Sequence, residues 1–340
     1  MLMVKKRLKF RDDGTFIIVQ FSDVEFADQF DYDTETPKYD SETRALMERI
    51  IEAEKPDLIV FAGDVIASNR AKDPIHSFRQ AVDVAEQSHI PWAAVFGNHD
   101  SEGDVPRNMM HELQLQHDYC VAEPDPEGIS GSGNFVVTVS GNSENTAAAL
   151  YFMDSGDYSP ISDRVSGYDW IHRDRIEWYV GKSLELRRHN ENQPLPALAF
   201  FHIPLPEYND VWDFHICYGH RYEDCCSSPR INSGLFAAMV ELGDVMGTFV
   251  GHDHGNDFWG TLHGIRLCYG RSTRYVSYVD GVRHDLMPTG ARVIRLKEGT
   301  RQFDTWIREK DGTVVAEQLE HQPEGRKVPN GIGKKDASTA

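Results

Sequence analysis

FSDVEFAD, residues 21–28, closes an apolar run, TFIIVQ at 15–20, and sets Asp23 and Glu25 two residues apart where a strand would give way to a loop. Positions i and i+2 of an extended chain point the same way, so both carboxylates can face one site beyond the strand end. Taken alone, the pair reads as readily as a solvated acidic turn. Four further stretches alter that reading. PDLIVFAGD (56–64), PWAAVFGNHD (91–100), ALAFFHIP (197–204) and GTFVGHDH (247–254) are apolar runs of strand length, and each ends in residues able to hold a metal. Those ends carry Asp64; Asn98 with His99 and Asp100; His202; and His252 with His254. Each end separately has an ordinary explanation as a cap, a turn or a satisfied core histidine. Five together at strand C-termini, where sites collect in α/β sheets, point to one centre.

The continuous apolarity of these runs implies strands buried on both faces. Segments of helical spacing lie between them. Leu46, Ile50 and Ala53 share a face after a cap at Asp40 or Ser41, with Pro56 as the stop. Phe236, Met239 and Val240 form a stripe behind a cap at Ser233, residues 170–190 read as an exposed amphipathic helix, and 207–229 as an extended loop. NFVVTVSG (134–141), ALYFMDSGDY (149–158), GIRLCYG (264–270) and ARVIRL (291–296) alternate more and suggest a second sheet. With no fixed repeat and no linker, the expectation is one α/β domain over 10–320 with two packed sheets. A tail poor in apolar residues, expected to be disordered, follows over 321–340.

Lys and Arg number 35 against 54 Asp and Glu, a formal net charge of −19. Such a chain repels a nucleic-acid backbone and an anionic membrane unless bound cations reverse the field locally, so neither is expected as a partner. The five cysteines form no CxxC pair, which argues against a disulfide framework or a cysteine zinc site. No signal-type or membrane-length apolar stretch occurs, and a cytoplasmic location is the simplest expectation. Nothing in the pattern speaks to oligomeric state.

The residue types suit phosphate ester hydrolysis. Two divalent cations can shield the phosphate oxygens, turn a bridging water into hydroxide and stabilise the departing oxygen. Asp64 suits the bridging position. Asn98, His202 and His252 complete one shell with it, and Asp23, His254 and possible ligand Glu25 complete the other. His99 is expected to point past the metals toward the phosphate as acid or electrostatic stabiliser, with Asp100 orienting it and raising its pKa. Asn98, His99 and Arg271 are the candidate substrate contacts; Arg271 and Arg274 lie in CYGRSTRY (268–275), where a guanidinium fork would match phosphate.

The ordered set D-x-E, GD, GNHD, FHIP and GHDH resembles the calcineurin-like metallophosphoesterase superfamily. Intervening stretches such as GNHDSEGD, HIPLPEY and INSGLFAAMVELGDVMGTFVGHDHGNDFWG are similar to its small purple-acid-phosphatase-like branch in plants, fungi and bacteria. The resemblance implies a four-layer α/β/β/α sandwich of two mixed β-sheets flanked by helices. It also implies two metal ions (Mn, Fe, Zn or Mg) and attack by metal-bound hydroxide. By position, Asp23, Asp64, Asn98, His202, His252 and His254 match its ligands and His99 its catalytic histidine. Two departures stand out. Ala67 replaces the iron-binding tyrosine of the purple enzymes, so no coloured tyrosinate site is expected. Glu25 replaces a histidine; if ionised, it cancels the single positive charge left by two cations, two carboxylates and one hydroxide, and it favours Mn or Fe over Zn. The expected activity is hydrolysis of a phosphorylated small molecule or phosphoprotein, phosphomonoesters ahead of diesters. The alternatives are a phosphodiesterase, or a non-catalytic binding or regulatory protein whose first metal site Glu25 has weakened.

Overall fold

The computed structural model describes residues 7–27, 36–222, 225–274, 277–279, 282–284 and 287–326. TFIIVQF, rich in β-branched and aromatic residues, forms the strand Thr15–Phe21, and all but its first residue are buried. It lies parallel to Leu58–Ala62, which lies parallel to Trp92–Val95. Gly290–Lys297, Phe303–Glu309 and Val314–Val315 continue this six-stranded sheet antiparallel. A larger sheet has nine strands, with Thr146–Phe152, Ala197–Phe200, Val245–Val250 and Ile265–Tyr269 parallel at its centre, and Ser277–Val279 pairs with Val282–His284 apart from both. Side chains from both sheets, among them Ile18, Phe61, Phe152, Phe200 and Phe249, share one buried cluster. A second cluster packs the outer face of the nine-stranded sheet against the helices Arg173–His189, Glu207–Phe214 and Leu235–Leu242. The fold is the expected α/β sandwich of two mixed sheets with helices outside.

The grouping of strands differs from expectation. ARVIRL pairs with Thr15–Phe21 in the smaller sheet, whereas Ala197–Phe200 and Val245–Val250 belong to the larger one. Burial on both faces gives the same apolar signature in either sheet, so composition could not sort them. The consequence is functional: strand ends from both sheets meet at one place. Gln20 ties them there, its buried Nε2 donating to Val250 O and to Ser22 Oγ, both at 2.9 Å.

Several boundaries also move. The helix expected after Asp40 or Ser41 spans Thr36–Glu54, and Asp40 accepts from Ala27 N–H instead. Gly234, left-handed at φ 85°, is the cap of Leu235–Leu242, with no side-chain bond from Ser233. The expected loop at 207–229 contains the helix Glu207–Phe214. The described part of the tail expected from 321 makes contacts with the rest of the chain. Glu320–His321 pairs with Cys217–Tyr218, the His321 ring stacks on Trp212 at 3.7 Å, and Arg326 pairs with Asp210 and Asp213. Residues 327–340 lie outside the described residues. Among the described residues, no helix is long and apolar enough to cross a membrane.

Candidate metal centre

The strand Thr15–Phe21 ends in a segment that runs beside the loop after Leu58–Ala62. Asp23 N–H donates to Gly63 O, Glu25 N–H to Asp64 O and Phe26 N–H to Val65 O. Asp23, Glu25, Asp64 and His252 all hold left-handed backbones, at φ 55°, 43°, 47° and 81°. Non-glycine residues adopt this region at a cost, and their gathering at one place marks a site the surrounding fold enforces. The two carboxylates at 23 and 25 therefore face one site, though through left-handed turns and not through the pleat of a strand. Glycine is required where these segments close. A Cβ on Gly97 would stand 2.2 Å from Asp64 Oδ1, and one on Gly63 2.4 Å from the His202 ring.

Asp64 is the hub. Its Oδ1 accepts the His99 backbone N–H at 2.8 Å, and its Oδ2 lies 3.0 Å from His202 Nε2. Ligand-type atoms of Asp64, His202 and His252 lie within 4.8 Å of one another, as do those of Asp64, Glu25 and His99. Asp64 belongs to both groups, which suits a bridging carboxylate. His202 Nδ1 is bonded to Ala62 O at 2.8 Å, leaving Nε2 for a ligand. On the far side, His254 Nε2 lies 3.8 Å from Asp23 Oδ1 and 3.5 Å from Glu25 Oε1.

Four atoms test whether a cation fits. Asp64 Oδ2, Asn98 Oδ1, His202 Nε2 and His252 Nε2 are buried; Asn98 Oδ1 and His252 Nε2 have no hydrogen-bond partner, and Asp64 Oδ2 and His202 Nε2 face each other at 3.0 Å. Buried polar atoms are rarely left without a partner, because an unmet one costs about 1–3 kcal/mol. These four come from four separate segments and supply the mixed oxygen and nitrogen set of a divalent cation. The residues present fit the group.

The protonation pattern of these side chains has clear causes. Burial raises Asp23 to about 6. Burial also works upward on Asp64, but His202 and His99 beside it hold its carboxyl far below the usual range. Burial pushes His252 down to about 4, whereas in His202 burial is outweighed by Asp64, which lifts the ring to about 9. In Glu25 burial is outweighed by Arg274 and then His254, leaving its carboxyl below the ordinary value.

A family model for calcineurin-like phosphoesterases matches residues 16–256. The chain belongs to that family. It is 38% identical over 297 residues to a protein of Arabidopsis thaliana named probable inactive purple acid phosphatase 29, covering 81% of this chain and 76% of the relative. It is 32% identical over 292 residues to the phosphatase DCR2 of Saccharomyces cerevisiae, covering 78% of this chain and 49% of the relative. A dimetal phosphatase from Danio rerio shares the fold, with a TM-score of 0.57 at 12% identity over 91% of this chain and 99% of that one.

Against the calcineurin-like pattern, the structure gathers Asp23, Glu25, Asp64, Asn98, His99, His202, His252 and His254, and it moves two expected residues elsewhere. Asp100 does not orient the His99 ring. It is fully buried, and its two oxygens accept the N–H groups of Ile66 at 2.9 Å and Gly97 at 2.8 Å, so it stitches two site loops together. Arg271 is no phosphate contact: it is buried on Asp257 at 2.5 Å and Glu309 at 3.1 Å. Arg274 is the nearer arginine, with Nη1 3.1 Å from Glu25 Oε2 and also donating to Glu25 O.

Three residues escaped the sequence reading. Glu102 Oε2 holds His99 Nδ1 at 2.8 Å, the role expected of Asp100. The Tyr158 hydroxyl bonds to Glu102 and accepts from Asn98 Nδ2 at 3.4 Å. Tyr168 stands edge-on to the His252 ring at 4.3 Å and stacks with Tyr158 at 5.8 Å. His99 and Tyr158 remain 35% and 47% exposed, so solvent reaches the centre on their side. The i, i+3 spacing of His99 and Glu102 on a helical turn was readable; the tyrosines come from a distant loop and carried no local signal.

Proposed function

We propose that this chain is a metal-dependent phosphoester hydrolase acting in the cytoplasm on phosphorylated small molecules or phosphoproteins, monoesters ahead of diesters, and not on nucleic acid or membranes. The observation that supports the reading is the convergence of ligand-type atoms of Asp64, His202 and His252 within 4.8 Å, with the buried Asn98 Oδ1 and His252 Nε2 left without a hydrogen-bond partner. Asp64, Asn98, His202 and His252 would hold one cation, and Asp23, Asp64, Glu25 and His254 the other, with Mn or Fe favoured by the oxygen-rich second set. When bound, two divalent cations shield phosphate oxygens, acidify water and stabilise a leaving oxygen.

The chain's own residues supply the rest. Glu102 fixes His99 at Nδ1, which leaves Nε2 to hand a proton to the leaving oxygen. Burial works to lower the His99 pKa, but Asp64, Glu102 and Glu25 outweigh it and raise the ring to about 10. Asp64 and Asp100 hold the turn that carries His99 through backbone N–H groups. Arg274 changes the expected charge balance. Two divalent cations and Arg274 against three carboxylates leave two positive charges, as two cations against two carboxylates would with histidine at position 25. That balance supports preference for the dianionic monoester.

The test is turnover of an aryl phosphate and of its bis-aryl diester with Mn(II), Fe(II), Zn(II) or Mg(II) supplied separately. Monoester turnover with Mn(II) or Fe(II), lost in Asn98→Ala and His252→Ala, is the expected result; no turnover with any metal overturns the reading. A non-catalytic binding protein is the competing function. It draws on the Glu25–Arg274 pair at a ligand position and on the word inactive in the Arabidopsis relative's name.

A further inference from the structure

The two halves of the centre are not equally prepared for a cation. In the half made by Asp64, Asn98, His202 and His252, the buried Asn98 Oδ1 and His252 Nε2 have no hydrogen-bond partner, and Asp64 Oδ2 meets His202 Nε2 at 3.0 Å. No atom of Asp23, Glu25 or His254 is both buried and unpartnered among the described residues. Asp23 Oδ1 accepts the His252 N–H at 2.9 Å, and Glu25 Oε2 is held by Arg274, whose side chain is only 4% exposed. The positive charge that Glu25 requires in a buried place is thus already supplied by the protein. Resting on the dinuclear reading above, we propose that Glu25 and Arg274 divide the centre into a permanent metal position at Asp64/Asn98/His202/His252 and a conditional one at Asp23/Glu25/His254, so that free metal concentration sets the active fraction.

The physical reason lies in what each cation finds on arrival. At the permanent position it meets two atoms without a partner, Asn98 Oδ1 and His252 Nε2, beside the Asp64–His202 pair, and three of the donors there, Asn98, His202 and His252, bring no negative charge of their own that needs offsetting elsewhere. At the conditional position it shares Glu25 with a buried guanidinium that cannot be deprotonated and that repels it. Arg274 does have a positioning use. Gripping Oε2 leaves Oε1, the oxygen facing His254, as the one oxygen of Glu25 available for a ligand bond.

The experiment titrates the metal-free full chain with Mn(II), reading bound metal by equilibrium dialysis with elemental analysis and free Mn(II) by electron paramagnetic resonance. Wild type is expected to bind one Mn(II) tightly and a second at least about 10-fold more weakly, the scale on which groups adjoining metal ligands tune affinity. Arg274→Gln should tighten the second step about 10-fold and leave the first unchanged, while Arg274→Lys, which keeps the charge, should leave the second step weak. Two equal sites in wild type, or a folded Arg274→Gln with an unmoved second step, overturns the proposal. Should Arg274→Gln fail to fold by circular dichroism, the wild-type isotherm and Arg274→Lys still decide. Because the readout is bound metal, unequal sites without turnover would sink the hydrolase and keep this inference; turnover with equal sites would do the reverse.

Discussion

On one side of Asp64 stand the buried Asn98 amide oxygen and His252 nitrogen, without a hydrogen-bond partner, and the His202 ring 3.0 Å from Asp64; on the other stand two carboxylates with His254 at 3.5 and 3.8 Å, one of them gripped by the buried Arg274. Both sides consist of residues that bind metals, and a census of residue types would rank them alike. The difference is in the state of the atoms before a cation comes. Neutral donors left unsatisfied in a dry place favour an incoming cation without needing a counter-charge, whereas a buried carboxylate must be neutralised at all times and so acquires a resident cation from the protein. The comparison teaches that a site's readiness is read from unmet hydrogen bonds more than from ligand identity.

The largest expected effect separates the halves directly. His202→Ala should strip the tightly held Mn(II) and reduce turnover to background, whereas Glu25→Gln should leave about one metal per chain after desalting, measured by elemental analysis. Equal loss from both variants would erase the distinction. Next comes His99, whose ring nitrogen lies within 4.8 Å of ligand-type oxygens of Asp64 and Glu25 and which is proposed above as a proton donor. His99→Asn should lower kcat by about 10²–10⁴-fold, the usual worth of a positioned proton donor, with metal content unchanged. A simultaneous loss of metal would make His99 a ligand and redraw the boundary between the halves. Smaller again is Asp100, whose carboxylate joins the loop of Asp64 to the turn of Asn98 and His99. Asp100→Ala orphans the buried N–H groups of Ile66 and Gly97 and should cost about 2 kcal/mol or more in urea unfolding of the metal-free chain. A cost near zero would mean water replaces the carboxylate there.

The five strand ends were legible because each coupled a doubly buried apolar run to a ligand-type residue, and that pairing survives in any arrangement of the strands. Sheet membership was not legible, since Ala197–Phe200 and Thr15–Phe21 carry the same kind of apolar text although they lie in different sheets. Glu25 was recognised as a departure, but the sum that made the centre neutral lacked Arg274. That residue is 249 positions away in sequence, and the bridge between Ser22 and Ser272 and the hydrogen bonds between Ser22 and Thr273 bring the two segments together. Asp100 was misassigned for a related reason: adjacency in GNHD suggested that it braces His99, whereas on a helical turn the neighbour three residues on, Glu102, lies on the same face and takes the ring.

The finest distinction concerns which carboxylates charge His99. Burial lowers its pKa, and Asp64, the hydrogen bond that the ring donates to Glu102, and Glu25 together reverse that and raise it from 6.5 to about 10. A group whose folded pKa is raised adds stability that is fully present below its unfolded pKa and fades as pH climbs through the folded one. In the metal-free chain, the contribution of the His99–Glu102 pair should therefore be complete below about pH 6.5 and decline toward pH 10. Glu102→Gln keeps the side chain's shape while removing its charge. The variant should lower the His99 midpoint, followed by NMR of the ring protons, and its unfolding curve should approach wild type only as pH rises toward that limit. If Asp64 bridges the cations and Glu102 holds none, as proposed above, the two should respond differently to loading. Cations at Asp64 withdraw its support from the imidazolium and lower the midpoint, while the hydrogen bond to Glu102 persists. If Glu102→Gln leaves the midpoint where it was, the charge on His99 comes from the metal side alone, and the ring then loses its proton as soon as the centre is filled.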